Sequence, residues 1–318
     1  MNKIENIKNN NYNLYYINEK KSKTTEISLI FKSPISKEEL SLKSLLIEYL
    51  LFISNNYPSP RLLNLKQEEL FDLEINNKAI REGSLCKGEI SLSILNPKYS
   101  IDNNIDNCLN FIFDLLYNPL KEKNQFNDKY FNIIKNQLIT DSLYALDNPQ
   151  VKAKYKLLDN LSNEKLKIHN SLDVNTLKNI TNKDLFKYYN NFFKNNNIDI
   201  IVSSNINKDY FINYFNKLDL NNINKYDYNY KINYTNQYKE KNKTKNTQSK
   251  LIMAYTFDNL NEFEYKSAIN IYNHIIGGSN NSLLMQTIRE KESLCYGIYS
   301  TLHKVDNILL IESGIQNN

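Results

Sequence analysis

The chain has 318 residues, of which 41% are hydrophobic and 12% aromatic, and this length and composition predict about two packed domains. The net charge of +5 comes from 40 basic and 35 acidic residues, a balance that excludes the concentrated basic surface of a nucleic-acid-binding protein. Three separated cysteines (Cys86, Cys108 and Cys295), with no CxxC pair, exclude a disulfide framework or a zinc ribbon and favour a reducing compartment. Since no signal-peptide core or membrane-length apolar run is visible, we predict a cytoplasmic protein that binds neither nucleic acid nor membrane.

The first part of the chain has the pattern of strands followed by a buried helix. Residues 13–17 and 25–32 alternate like strands, and Ser36 stands three residues before Glu39, the spacing of a helix capping box. The helix predicted after this cap carries an apolar stripe at helical spacing, made of Leu42, Leu45, Leu46, Tyr49, Leu50 and Ile53. Residues 75–80 and 83–95 then predict a β-hairpin.

A long helical block follows this hairpin. Apolar spacing predicts helices over 61–73, 105–116, 126–138, 149–161, 182–193 and 209–218, with one short strand at 198–202. Strands, then helices, then a strand is the order of an α+β fold with a mainly antiparallel sheet covered by helices. The strict βαβ alternation of a Rossmann-type sheet is missing from the sequence.

The pattern of the first strands and helix begins again near the C-terminal end. Residues 221–249 are polar, and we interpret them as a linker, with a surface loop inside one domain as the alternative. After them, Leu251 to Phe257 repeats the strand at 27–31, and residues 265–269 (YKSAI) echo residues 42–46 (LKSLL). This predicts an internal duplication, with a first domain at 1–220 and a second domain at 250–318.

The second repeat is shorter than the first. It covers one strand, two helices and a hairpin, so we expect a truncated or fragmentary second domain. On this interpretation, Leu309, Leu310 and Ile311 form an apolar strand with nothing after it to cover its face.

Two neighbouring stretches carry a resemblance to a known family. Residues 275–284 read IIGGSNNSLL, and residues 288–300 read IREKESLCYGIYS, with one of the chain's three arginines at Arg289. Together they resemble the second homology domain of the insulinase-like (pitrilysin, M16) metallopeptidases. The resemblance implies M16-like repeats, each a mainly antiparallel sheet covered by helices, the second of them incomplete here.

The zinc motif of active M16 peptidases is degenerate in this chain. The family carries His-x-x-Glu-His on the first long helix, where both histidines bind zinc and the glutamate activates the bound water. The matching positions here are Leu45, Glu48 and Tyr49, and no glutamate lies between Glu122 and Glu164 to supply the third ligand. The three histidines (169, 274 and 303) have no ligand spacing among them. We therefore expect no metal or other cofactor in this chain, and zinc only in a partner subunit.

A narrower resemblance points to one branch of the family. Residues 92–99 (LSILNPKY) and 289–296 (REKESLCY) are similar to a bacterial, non-catalytic M16-like branch. Its members lack the zinc motif, and some are associated with modification of elongation factor P. They are typically encoded beside an active M16-like protein.

The resemblance also implies a function. In the family, two halves close around a chamber, and the half without zinc supplies an arginine and a tyrosine that contact the substrate backbone. Carried over, these are Arg289 and Tyr296. The alternative is that Arg289 pairs with Glu290 or Glu292 while Tyr296 packs in the sheet.

We expect a non-catalytic peptidase homologue that forms a heterodimer with an active M16-like subunit and contacts its peptide substrate. One alternative is an active zinc metalloendopeptidase with an unrecognised site, and another is a peptide-binding scaffold in translation-factor modification. Catalysis through Ser293 or Cys295 lacks an evident histidine and acid.

Overall fold

In this computed structural model the described residues are 4–9, 11–161, 164–218, 220, 226, 238–242, 248–258 and 260–316. The chain divides into two compact units, the first made of Met1–Asp141 and Leu172–Tyr228, the second of Ser142–Ser171 and Asn229–Asn318. Most of the predicted linker at 221–249 lies outside the described residues.

The first unit is built on a six-stranded sheet. Its elements in chain order are β1 (Ile4–Lys8), β2 (Asn13–Asn18), β3 (Thr24–Pro34), α1 (Lys37–Phe52), α2 (Pro60–Glu69), β4 (Glu74–Glu82), β5 (Leu85–Leu95), α3 (Asn104–Tyr117), β6 (Lys121–Glu122), β7 (Gln125–Phe126) and α4 (Asp128–Asp147). Helix α5 (Pro149–Asp159) belongs to the second unit. The first unit then continues with α6 (Val174–Asn179), α7 (Asn182–Asn190), α8 (Phe192–Asn195), β8 (Asn197–Ser204) and α9 (Lys208–Phe215). The strand order is β1-β2-β8-β3-β5-β4, and every neighbouring pair is antiparallel except β2 and β8.

The apolar stripe of α1 packs into the core of this sheet. Leu45, Leu46, Tyr49 and Leu50 are fully buried, and each such side chain stabilises the fold by about 1.5–3 kcal/mol. The predicted N-cap is present, since the Ser36 hydroxyl accepts from the backbone N–H of Glu39 at 2.9 Å. The Glu39 carboxylate accepts instead from Ser33 and Tyr188, so it serves the core and not a reciprocal capping box.

The predicted hairpin is observed as β4 and β5, joined by Gly83 and Ser84. Gly83 has φ of +61°, a left-handed conformation that glycine adopts without steric cost. Most predicted helices are also observed, with ends shifted by a few residues and the predicted 182–193 helix divided into α7 and α8. Strand β1 and helix α6 are additions that the sequence patterns did not predict.

The second unit contains a three-stranded antiparallel sheet. Its remaining elements are β9 (Gln248–Thr256), α10 (Ile269–Ile276), β10 (Gly297–His303) and β11 (Ile308–Gln316), with strand order β10-β11-β9. A π-helical segment, Met285–Lys291, precedes β10. In the first unit β3 pairs with β5, which pairs with β4, and here β9 pairs with β11, which pairs with β10. This shared order supports the predicted duplication.

The expectation of an uncovered strand at the C-terminal end is wrong. Leu309, Leu310 and Ile311 are at most 6% exposed. One face of β11 packs through Leu310 on Leu158, Leu161 and Leu166, residues within or just after α5, and the other packs through Ile311 on Met285. The sequence pattern failed because part of the covering layer comes from residues that precede the sheet by about ninety positions. No described helix combines the length and the apolar character needed to cross a bilayer.

Candidate functional site

The degenerate zinc motif lies on the buried face of α1. Leu45 and Tyr49 are one helical turn apart, and both are 0% exposed. The Tyr49 hydroxyl donates to the carbonyl of Leu120 at 2.7 Å and accepts from the N–H of Asn127 at 2.9 Å. Its ring lies 4.3 Å from that of Phe126, and burial raises the pKa of Tyr49 far above its ordinary value. Both histidine positions are therefore occupied by buried side chains, and the Tyr49 hydroxyl already has two hydrogen-bond partners.

Glu48 stands at the position of the family's catalytic glutamate. Burial raises its pKa, while a hydrogen bond with the side chain of Asn77 on β4 opposes this shift. Within the described part of the chain, no three His, Cys, Asp or Glu side chains converge as a metal site requires. The residues around Glu48 therefore do not fit a zinc ion.

A buried lysine network begins two residues before Leu45. Lys43 is 0% exposed, and its ammonium group donates to Ser33 Oγ at 2.6 Å, to Asn196 Oδ1 at 2.7 Å and to the carbonyl of Cys86 at 2.9 Å. Glu39 lies 3.4 Å away as its ionic partner. Desolvation lowers the pKa of Lys43, with Cys86 and Glu39 opposing the shift. This network cross-links α1, β3, β5 and the segment before β8.

The outer edge of β4 lies next to α1. β4 is the last strand of the six-stranded sheet, so its outer edge has no neighbouring strand among the described residues. Unpaired strand edges are templates for an additional strand, including that of a bound peptide. Helix α1 packs against β4, and this packing places the edge next to the degenerate motif.

The equivalent edge in the second unit is closed. The N–H of Ser300 on β10 donates to the carbonyl of Gly277 at 2.9 Å, and the N–H of Ile298 contacts the sulfur of Met285 at 3.5 Å. A Cβ atom on Gly277 would lie 2.8 Å from the backbone nitrogen of Ser300, so the close approach requires glycine. The first glycine of the Gly277-Gly278 pair thus joins α10 to β10.

The structure places Arg289 and Tyr296 in different local environments. Arg289 lies on the π-helical segment, with its side chain 47% exposed and 3.3 Å from Glu290, which is the pairing of the alternative interpretation. Tyr296 directly precedes β10, is 66% exposed and borders a pocket of about 270 Å³. The proposed substrate contacts of both residues stay predictions.

The other candidate side chains are dispersed in the second unit. His169 stacks on Tyr155 with ring centroids 3.8 Å apart, and its Nε2 lies 2.9 Å from Asp159 Oδ1. Ser293 has φ of +53° in the loop before β10, and Cys295 is partly buried. Among the described residues, no hydrogen bond joins Ser293 or Cys295 to a histidine.

Comparison with known proteins supports the M16 resemblance. Residues 179–318 match the model of the family described as peptidase M16 inactive domain. The chain is 22% identical over 322 residues to the probable inactive metalloprotease YmfF of Bacillus subtilis (strain 168), an alignment that covers 95% of this chain and 76% of that protein.

Solved structures share the fold. A conserved protein from Enterococcus faecalis V583 superposes with a TM-score of 0.83 at 24% identity, covering 98% of this chain and 75% of that one. A peptidase M16 inactive domain from Pseudomonas fluorescens superposes with a TM-score of 0.77 at 18% identity, covering 99% and 74%. These matches confirm the α+β fold and the interpretation as an inactive homologue. With Leu45 and Tyr49 in place of zinc ligands and a match to the M16 inactive domain over residues 179–318, the chain resembles non-catalytic homologues of the M16 peptidases.

Proposed function

We propose that this chain is a non-catalytic M16 subunit that pairs with an active zinc peptidase of the same family in the cytoplasm and helps to bind its peptide substrate. The observation that carries the proposal is the packing of α1, with Leu45 and Tyr49 buried at the zinc-ligand positions, against strand β4. It sets a helix without zinc ligands beside the outer edge of β4, the last strand of the sheet in the described part of the chain. An extended peptide added to such an edge is held by main-chain hydrogen bonds.

The filled zinc position explains why binding at this edge would not lead to hydrolysis. Leu45 and Tyr49 leave no ligand for a metal, and a peptide beside them meets no metal-activated water. Zinc is therefore expected in the partner subunit, where the substrate would be cut. In this arrangement the present chain positions the peptide and the partner carries out the chemistry.

Arg289 and Tyr296 are the side chains that we propose to contact the substrate from the second unit. Both are substantially exposed, and a guanidinium and a phenol can each donate to a peptide carbonyl or to the oxyanion that forms from it. The exposed pair between Arg289 and Glu290 contributes only about 0–1 kcal/mol, so a substrate group can replace it.

The first test is purification of the tagged full-length chain from its native host, followed by identification of bound proteins and measurement of zinc per protein. We expect an M16 zinc peptidase to co-purify and the separated chain to contain almost no zinc. One tightly held zinc per isolated chain would overturn the proposal in favour of an active metalloendopeptidase. Recovery of translation-factor-modifying enzymes without an M16 peptidase would instead favour the scaffold function.

The second test measures peptide turnover by the reconstituted pair. Arg289→Ala is expected to lower kcat/KM by about tenfold or more, the effect of removing a charged hydrogen-bond donor. Lys291→Ala is the matched control, because Lys291 is an exposed cation at the end of the same helical segment. Equal turnover by both variants would exclude Arg289 as a substrate contact.

A further inference from the structure

The pocket beside Tyr296 is formed where the sheet surface of the second unit lacks side chains. Gly297 on β10 is opposite Gly314 on β11, which is opposite Lys250 on β9. These three residues form one row across the sheet, and the next row on the same face contains Tyr299 opposite Glu312. The two glycines leave a recess of about 270 Å³ between these side chains and Gln150 of α5.

The glycine at position 297 also determines where the ring of Tyr299 lies. A Cβ atom at this position would be 2.9 Å from Cε2 and 3.0 Å from the hydroxyl of Tyr299. The ring therefore folds back over the backbone of Gly297, the packing by which an aromatic residue covers a glycine at a sheet edge. Its hydroxyl therefore lies next to Gly297, which lines the pocket.

The two charged side chains that line the pocket, Lys250 and Glu312, differ in their ionic partners. Glu312 is the acidic side chain of the lining, and its carboxylate accepts from Gln150 and, at 3.0 Å, from the ammonium group of Lys154. Lys250 donates to the neutral amide oxygen of Gln248 at 2.5 Å. In the described part of the chain, no carboxylate lies within ion-pair distance of Lys250. The recess thus combines Lys250, which has no ionic partner among the described residues, with the paired carboxylate of Glu312, two phenols and side-chain amides.

We propose that this pocket binds the C-terminal carboxylate of a peptide, with Lys250 as the ionic partner and Tyr299 as a hydrogen-bond donor. The ammonium group and the phenol suit an oxyanion, and charge-assisted hydrogen bonds of this kind are about twice as strong as neutral ones. The pocket, at about 270 Å³, lies just below the usual range of ligand-site volumes, roughly 300–1,000 Å³, so it accommodates about one residue.

The closed edge of β10 favours a chain end over an internal acidic side chain. Because Gly277 and Met285 already contact the amides of Ser300 and Ile298, a peptide cannot continue along this stretch of β10 as an added strand. A bound chain that stops at the pocket avoids this obstruction. That the ligand is a peptide rests on the proposed function, whereas the selection of a carboxylate rests on the pocket itself.

The test is an NMR titration of the isotopically labelled full-length chain with pentaalanine, once as the free acid and once as the C-terminal amide, into the millimolar range. We expect the free acid to bind about tenfold more tightly and to shift the amides of Gly297 and Gly314, because one charged contact separates the two ligands. A third peptide, amidated and carrying an internal glutamate, distinguishes the terminal carboxylate from a side-chain carboxylate. Equal binding of the acid and the amide, no binding of either, or glutamate-peptide binding as tight as that of the acid would each overturn the proposal.

Variants separate this site from general charge attraction. Lys250→Gln is expected to abolish the preference for the acid, whereas Lys266→Gln, which removes a cation paired with Glu262 outside the pocket, is expected to preserve it. Tyr299→Phe keeps the ring over Gly297 and is expected to weaken binding of the free-acid peptide by about threefold or more. Because no partner subunit is present, failure here leaves the pairing proposal intact, and failure to find a peptidase partner leaves this binding result unaffected.

Discussion

The carbonyl of Gly277 accepts a hydrogen bond from the backbone N–H of Ser300 at 2.9 Å and so joins the end of α10 to the outer edge of β10. The hydroxyl of Ser300 reinforces this junction by donating to Oδ1 of Asn273 at 2.8 Å. Gly277 is itself buried, so its Cβ position is filled by the neighbouring strand and not by solvent. The glycine pair of the family signature has a structural role at this point.

Gly277→Ala is therefore expected to destabilise the second unit. The added methyl group would lie 2.7–2.8 Å from three atoms of Ser300, and one of them is backbone nitrogen, which cannot rotate away. Over-packing of this kind costs about 1–3 kcal/mol of unfolding free energy. Urea denaturation of the variant measures the effect, with Asn280→Ala in the exposed adjoining turn as the control. Equal stability of both variants would show that the junction is not tightly packed.

Lys43→Met is expected to destabilise the first unit by about 3–5 kcal/mol. The substitution keeps the apolar stem but removes the ammonium group, leaving the partners Glu39, Ser33 and Asn196 in or near the core without it. Lys37→Met is the matched control, since Lys37 lies on the same helix with its side chain 52% exposed and a surface ion pair to Asp173.

The loss of unfolding free energy on Lys43→Met is also expected to depend on pH. Because the pKa of Lys43 is lowered in the folded state, the unfolded chain binds more protons between that value and 10.5. Compared with neutral lysine, charged lysine is less favourable in the folded state, so the contribution of Lys43 to the unfolding free energy increases as pH rises through this window. The free energy lost on Lys43→Met is thus expected to increase with pH. A loss that decreases toward alkaline pH would contradict the direction of the shift.

The sequence was sufficient to show that the zinc-binding histidines are absent from α1, but it did not show which residues surround this helix. Leu45, Glu48 and Tyr49 were found from a local pattern, because a metal-binding motif on a helix depends on spacing within one turn. The Lys43 network was missed, because its partners Ser33, Cys86 and Asn196 come from distant strands and loops. A lysine within an apolar stripe was the one local signal of a buried charge.

The fold showed the same limit of local patterns. Strand β3 and helix α1 were predicted because each buries one face at its own period. Strand β1 was missed because it is an edge strand without a fully buried residue, so its sequence carries no apolar alternation. The cover of β11 was missed because Leu158 and Leu310 are far apart in the chain, and sequence periodicity does not indicate which elements pack together.

Restoring the family histidines is expected to damage the fold without creating a zinc site. The double variant Leu45→His and Tyr49→His places two imidazoles in the family spacing, but it buries polar rings in an apolar core and removes the Tyr49 bonds to Leu120 and Asn127. A catalytic zinc site needs about three protein ligands, and two histidines supply too few.

Measurement of zinc per protein after dialysis, together with urea denaturation, tests this prediction. We expect well below one zinc per chain and a loss of several kcal/mol in unfolding free energy, since each lost or unsatisfied buried group costs about 1–3 kcal/mol. Tyr49→Phe is the control, because it removes the hydroxyl but keeps the ring against Phe126. Stoichiometric zinc in a stable double variant would show that a third ligand is available after all.

The buried thiol of Cys108 predicts a loss of stability at alkaline pH. Burial raises the pKa of Cys108 to about 12 from an ordinary value of 9.0, so the folded chain keeps this proton where the unfolded chain releases it. The stabilisation that results is complete below pH 9.0 and is lost as pH rises from 9.0 toward 12. Over that window one thiol changes the unfolding free energy by about 1.4 kcal/mol per pH unit.

Urea denaturation at a series of pH values above 8 isolates this contribution through Cys108→Ala. Buried tyrosines such as Tyr189, whose pKa is raised to about 12, act in the same direction, so the alkaline loss is expected to be smaller in the variant but still present. Cys295→Ala is the matched control for the loss of a thiol, because Cys295 is only partly buried. Identical pH slopes for the parent chain and Cys108→Ala would mean that the thiol ionises as readily in the folded state as in the unfolded state, and the packing of α3 around it would have to be looser than the structure indicates.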